Sequence, residues 1–139
     1  MYSFGKRSKQ ELATCCDEIN VICNEAILIM DFSVLQGRRN KAEQNRLYAI
    51  GKSYLEWPNS AHNVADELGE ECDGLSDAFD FAPWPVDWKD REQFTLYAGV
   101  FIGIAQAKGI ELVWGGDWNR NFKVDDNNFD DLGHLQVVR

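Results

Sequence analysis

The chain is short of positive charge, of histidine and of long apolar runs, and each shortage excludes something. Its 139 residues carry 14 lysines and arginines against 23 aspartates and glutamates, a formal net charge of −9. That balance repels nucleic acid and anionic membrane at long range, so neither is an expected partner. No apolar run approaches the roughly 20 residues that a membrane span needs, so no membrane insertion is expected. Residues 1–7 lack the apolar stretch of a secretory signal, and the expectation is a chain made and folded in a cytoplasm. There is no glycine-rich phosphate cradle and no nucleophile elbow for a Ser/His/Asp triad.

Cysteine is also sparse. The four are Cys15, Cys16, Cys23 and Cys72, too few for a secreted disulfide scaffold and wrongly spaced for a zinc knuckle. On one helix, Cys15 or Cys16 would stand roughly 10–12 Å from Cys23, beyond disulfide reach. Reduced packing thiols are expected.

What is present is the composition of a folded domain, with 45% hydrophobic and 27% charged residues. Ser8 and Glu11 have capping-box spacing, and Leu12, Cys15, Cys16, Ile19, Ile22, Cys23, Ala26, Ile27 and Met30 follow by threes and fours. The pattern predicts one helix running to about Met30. Asn40 and Glu43 repeat the capping signal before a stop at Gly51. A third helix fits 87–108, with Phe94, Tyr97, Phe101, Ile104, Ala105 and Ala107 as its stripe and Gly109 as terminator. Residues 78–82 alternate as a strand, with Phe79 and Phe81 on one face and Asp80 between alanines on the other. Residues 110–114 and 134–138 are further strand candidates. Helices first and strands later, without a βαβ rhythm, predict an α+β fold with a small, mainly antiparallel sheet, all within one domain of residues 1–139.

The chain has only two histidines, His62 and His134, each beside carboxylates in turn-rich sequence. Two imidazoles and a carboxylate suit a catalytic zinc that keeps a position open for water. Asp80 is the candidate carboxylate, because the small alanines on its face leave room for a metal to approach. Asp66 and Asp73, in the acidic stretch 64–75, are competitors. A second cluster, Asp117, Asp125, Asp126, Asp130 and Asp131 among asparagines, suggests an oxygen-ligand site for calcium. It lacks EF-hand spacing, and turn chemistry is the expectation there.

Taken in order, Ser60-x-His62, Ala78-Phe79-Asp80 and Asp131-x-x-His134 resemble the motif set of the zinc D-Ala-D-Ala carboxypeptidase and L-alanyl-D-glutamate endopeptidase family, and in particular its short phage endolysins. The likeness extends over 3–8, the Gly37-Arg38-Arg39 segment, 44–48, 57–60, 82–88, 114–118 and 129–132. It implies one zinc ion held by His62, Asp80 and His134, with Asp131 as general base and acid. It also implies that Arg39, rather than Arg38, binds substrate or the developing oxyanion, and that Ser60 supports the ligand beside it. This sequence departs from the family in three places. Seventeen residues separate His62 from Asp80, an insertion at 64–75 relative to the family's shorter spacing. The family glycine after the histidine is missing, and His134-Leu135-Gln136 replaces the frequent His-Phe-Glu.

The resemblance implies a zinc metallopeptidase that hydrolyses peptidoglycan stem peptides, with L-alanyl-D-glutamate endopeptidase activity as a phage endolysin the leading expectation. The acidic insertion reads as a solvated loop. A monomer is expected, reaching the cell wall from the host cytoplasm at lysis through a membrane lesion made by another protein. The alternatives are a D,D-carboxypeptidase or dipeptidase of the same family, and a catalytically silent virion component that keeps the fold.

Overall fold

A computed structural model describes residues 1–139. Four helices and four strands follow in the order α1 (Lys6–Leu12), α2 (Asp17–Ala26), β1 (Phe32–Gln36), α3 (Lys41–Ala49), β2 (Ala78–Pro83), α4 (Arg91–Ala107), β3 (Leu112–Gly115) and β4 (Asp131–Val137). The strands form one sheet in the order β1-β2-β4-β3, every neighbour antiparallel. This is the α+β class expected. No helix is long and apolar enough to cross a membrane.

The first helical stripe is real but belongs to two helices. All nine of its expected residues, Leu12 to Met30, are buried, yet the helix breaks after Leu12 and restarts at Asp17. The cause is tertiary. Cys16 N–H donates to Ser76 O at 2.9 Å, and Thr14 O accepts from Ser76 N–H at 2.8 Å. Backbone groups that would have continued the helix thus pair with the segment entering β2. Asn20 closes the break by donating to the carbonyls of Leu12, Cys15 and Cys16. The capping box is not used as one either, because Gly5 is the N-cap of α1. Ser8 Oγ accepts the N–H of Val34, and Glu11 Oε1 accepts that of Gly37. Both side chains act sideways, anchoring β1 and the turn after it.

The other helix signals hold. Asn40 caps α3 by accepting from Glu43 N–H at 2.8 Å, and Asp90 caps α4 by accepting from Gln93 N–H at 3.1 Å. Gly51 and Gly109, at φ 78° and 69°, end these helices in the left-handed region that glycine enters freely. On α4 the buried face is Phe94, Ala98, Phe101 and Ala105; the expected Tyr97 and Ile104 pack against the core half-buried, and Ala98 replaces the exposed Ala107.

Strand β1 is the element that the sequence pattern did not reveal. Its pairing with β2 carries a bulge: Val34 lies opposite Phe81, and Gln36, two residues on, lies opposite Asp80. A bulge changes which face the following side chain occupies. Phe32 therefore packs on Phe101 at 5.0 Å, while Gln36 turns toward the other side of the sheet. Along β2, Phe79 and Phe81 pack on Phe101 at 5.5 and 4.9 Å, and Asp80 projects opposite them. In β4, Leu135 is fully buried, and the flanking His134 and Gln136 share the face of Asp80.

Candidate metal centre and active cleft

Sheet register assembles most of the site. Gln36 lies opposite Asp80 and Asp80 opposite His134, forming a row across three adjacent strands. The remaining imidazole comes from the loop after α3. His62 O accepts the N–H of Arg39 at 2.8 Å, and Asn63 Nδ2 donates to Arg39 O at 3.1 Å. Ser60 Oγ accepts the N–H of His62 itself at 3.2 Å. Ser60 thus shapes the turn that presents the ring.

Three ligand-type atoms converge. His62 Nε2 is 3.2 Å from Asp80 Oδ1 and 3.2 Å from His134 Nδ1, and His134 Nδ1 is 3.4 Å from Asp80 Oδ1. The far sides of the rings fix the tautomers. His62 Nδ1 lies 2.7 Å from the carbonyl oxygen of Gly37, and His134 Nε2 lies 2.8 Å from Oε1 of Gln136. Both partners are acceptors, so each neutral ring keeps its proton on that outer nitrogen. Two bare nitrogens and a carboxylate oxygen then face one another with no donor between them, which is an arrangement that a cation satisfies. The spacing fits the donor set: ligands about 2.0–2.1 Å from a tetrahedral zinc stand about 3.3–3.4 Å apart. These three residues form a possible metal site. Asp66 and Asp73 do not join it. Asp66 instead accepts from the N–H groups of Leu68 and Glu70 within its own turn.

Burial raises the Asp80 carboxyl, but the charge and hydrogen bonds of the two imidazoles, in their protonated form, outweigh that and hold it well below the usual carboxylate range. Asp131, at the exposed start of β4, behaves oppositely: the protein around its carboxyl and the nearby Asp80 charge raise its pKa. Two carboxyls of one cleft are thereby driven apart, one toward a permanent charge and one toward holding a proton.

Arg39 is nearly buried and tied in place. Its Nε and Nη2 donate to Gln36 Oε1 at 3.0 and 2.9 Å, and its Nη1 donates to Gln44 Oε1 at 2.9 Å. Nη2 lies 3.8 Å from Asp80 Oδ2. An N–H on each terminal nitrogen remains for another acceptor. Arg38 faces away and holds the insertion through the carbonyls of Cys72 and Gly74. The acidic side chains of that insertion are exposed, and Trp57 Nε1 ties it down at Gly69 O, 2.8 Å away.

Three of the four supporting residues have no role assigned by the sequence, and the fourth, Gln136, stands out there only as the replacement for a frequent family glutamate. Gln36 and Gln44 hold Arg39, the Gly37 carbonyl sets the His62 tautomer, and Gln136 sets that of His134. Gly37 has a packing reason as well: a β-carbon there would stand 2.6 Å from both Cys15 Sγ and Glu11 O and would strike Thr14 Oγ1. The only sequence signal for Gln44 is its polarity on an otherwise exposed helix, where it alone is fully buried.

The cleft on one side of the triad has a volume of about 470 Å³ and is lined by Arg39, Tyr54, Ser60, Trp118, Phe129 and Asp131, among others. The acidic loop beside it shows the turn chemistry expected. Asp117 accepts from the N–H groups of Asn121 and Phe122, and Asn121 donates to Asp126.

An α+β fold with a His/Asp/His triangle, a carboxyl of raised pKa and a fixed guanidinium at one cleft is consistent with the class of metal-dependent hydrolases. The comparisons make the class specific. Residues 1–138 match the family described as phage L-alanyl-D-glutamate peptidase. The chain is 30% identical over 145 residues to the L-alanyl-D-glutamate peptidase of Escherichia phage T5, covering 99% of this chain and 98% of that protein. Its fold matches that of the Serratia marcescens L-Ala D-Glu endopeptidase ChiX with a TM-score of 0.73 at 22% identity, over 99% of this chain and 91% of that one. The chain belongs to the phage L-alanyl-D-glutamate peptidase family.

Proposed function

We propose that the protein is a zinc peptidase that cleaves the bond between L-alanine and D-glutamate in peptidoglycan stem peptides, acting as a phage endolysin. The observation that carries the reading is the triangle of bare ring nitrogens and carboxylate oxygen with edges of 3.2, 3.2 and 3.4 Å. His62, Asp80 and His134 would hold one zinc ion. When bound, zinc supplies Lewis acidity and lowers the pKa of a water molecule.

The chain's own groups divide the remaining work. Asp131 takes a proton from the attacking water and returns one to the leaving amine of D-glutamate. Its raised pKa suits the second of these tasks. Arg39 offers its free N–H groups and fixed charge to the oxygen of the scissile carbonyl as negative charge develops there. Gln36 and Gln44 keep that guanidinium from reorienting, and Ser60 positions His62. The chain acts as one peptidase domain and as a monomer, with 64–75 as a solvated insertion. It reaches the wall from the host cytoplasm at lysis.

Zinc content of the purified protein, together with mass spectrometry of digested murein, tests this reading. Near-stoichiometric zinc and fragments ending at L-alanine support it. Fragments trimmed only of terminal D-alanine would favour a carboxypeptidase, and metal-free folded protein with intact murein would favour a silent virion component. Asp131→Asn should bind zinc normally yet lose most activity.

A further inference from the structure

The cleft has two arms of unlike character that meet at Asp131. One, about 310 Å³, is lined by Arg7, Gln36, Glu43, Asp80, Trp88 and Asp131, and carries both signs of charge. The other, about 470 Å³, has an aromatic wall. That wall starts at the metal site and leads outward. Trp118 lies 5.5 Å from the His134 ring, Phe129 lies 5.5 Å from Trp118, and Tyr54 lies 5.6 Å from Phe129. The last pair joins opposite banks of the cleft, since Tyr54 follows α3 and Phe129 precedes β4. Their rings meet at 73° and form a corner. Both stand largely in water, Tyr54 79% and Phe129 49% exposed. Neither ring is needed for the core, and contiguous exposed apolar surface beside a cleft marks a place where a ligand sits.

The substrate has a matching asymmetry. Beyond D-glutamate the stem carries carboxylates and a diamino acid, which suit the arm holding Arg7 and Glu43. On the other side lies only L-alanine, whose nitrogen is acylated by the lactyl group of the glycan's muramyl sugar. The sugar therefore begins one residue and one lactyl unit, together about 7 Å of extended chain, from the scissile bond. An uncharged pyranose presents an apolar C–H face, and a flat aromatic ring is its natural partner.

Building on the peptidase reading, we propose that Tyr54 and Phe129 form a subsite that stacks the muramyl sugar and so selects stem peptides still attached to glycan. Lys52, on the same arm, offers its ammonium donors to sugar hydroxyl or acetamido oxygens.

The test uses two substrates: a stem tripeptide linked to its disaccharide, and the same tripeptide with an N-acetyl group in place of the lactyl sugar. Wild-type protein should cut the sugar-linked form roughly 10-fold more efficiently. Tyr54→Ala and Phe129→Ala should each abolish most of that preference, mainly through KM, while changing cleavage of the acetyl peptide by less than about 2-fold. Tyr54→Trp should restore it. Equal losses on both substrates, or no wild-type preference, would overturn the subsite. Wild-type protein that cuts neither substrate would bring down the peptidase reading, and the subsite with it.

Discussion

The two faces of the β2–β4 ladder are built from alternate residues of the same strands and do opposite things. One face presents Phe79, Phe81 and Leu135 to α4, all fully buried. The other presents Asp80, His134 and Gln136, with Gln36 brought alongside by the bulge in β1. Period-two alternation makes each ligand the sequence neighbour of a core residue, so a rigid core fixes the spacing of the ligands. Site and core are therefore separable in mutation although they are inseparable in position.

The largest effect expected is on the polar face. His134→Ala or Asp80→Ala should lower murein cleavage by roughly 10³-fold or more. In the presence of a chelator, which removes any stability that bound metal lends to the wild type, their melting temperatures should stay close to wild type. Cooperative unfolding at markedly lower temperature would show that these residues also hold the fold. Next in size is the apolar face. Phe81→Ala leaves a void among Phe94, Tyr97 and Phe101 and should cost about 3–5 kcal/mol in denaturant unfolding. The folded fraction should retain zinc stoichiometry. Loss of zinc from that fraction would mean that the two faces are coupled more tightly than the packing suggests.

The unequal legibility of the two faces has a physical cause. Alternation around Asp80 was readable because Phe79 and Phe81 flank it, and the Ala-x-Asp frame selected Asp80 over Asp66 and Asp73 across a 17-residue gap. Strand β1 was hidden because its bulge interrupts the alternation and it follows directly on a helical stripe. The break between α1 and α2 was hidden for another reason. It depends on Ser76, 60 positions beyond Cys16, and local spacing contains no trace of that pairing. Gln36 and Gln44 were illegible as supports, since a glutamine matters only once register shows what it faces; Gln136 was marked only by standing where the family often has a glutamate.

A smaller effect is expected at Gln136, which bonds to a ligand without itself facing the ligand triangle. Its amide oxygen is a neutral acceptor for His134 Nε2–H, where the family often has a carboxylate. Gln136→Ala should weaken zinc binding by about 10–100-fold in a competition titration. Gln136→Glu should bind at least as well as wild type, because a carboxylate raises the basicity of the ring. An affinity unchanged in the alanine variant would limit the supporting role to the Gly37 carbonyl on His62.

The smallest effect belongs to a carboxylate and cation outside both faces. Arg139 pairs with Asp77 at 2.7 Å and with Glu18, joining the end of the chain to α2 and to the segment before β2. Its hydrogen bond lowers the pKa of Glu18. A carboxyl whose folded pKa is depressed adds stability above its unfolded value, about 4.3, and that stability disappears as pH falls through the folded value. All three partners are solvent-accessible, so Arg139→Ala should cost no more than about 1 kcal/mol at neutral pH. The gap should shrink in high salt and close under acid conditions. Set against Asp80, the contrast is one of medium: a comparable charge pair in water adds little, whereas the half-buried Asp80, beside Arg39 and two imidazoles, is shifted well below the usual carboxylate range. A gap that persisted in acid would mean instead that the Arg139 side chain acts through its packing.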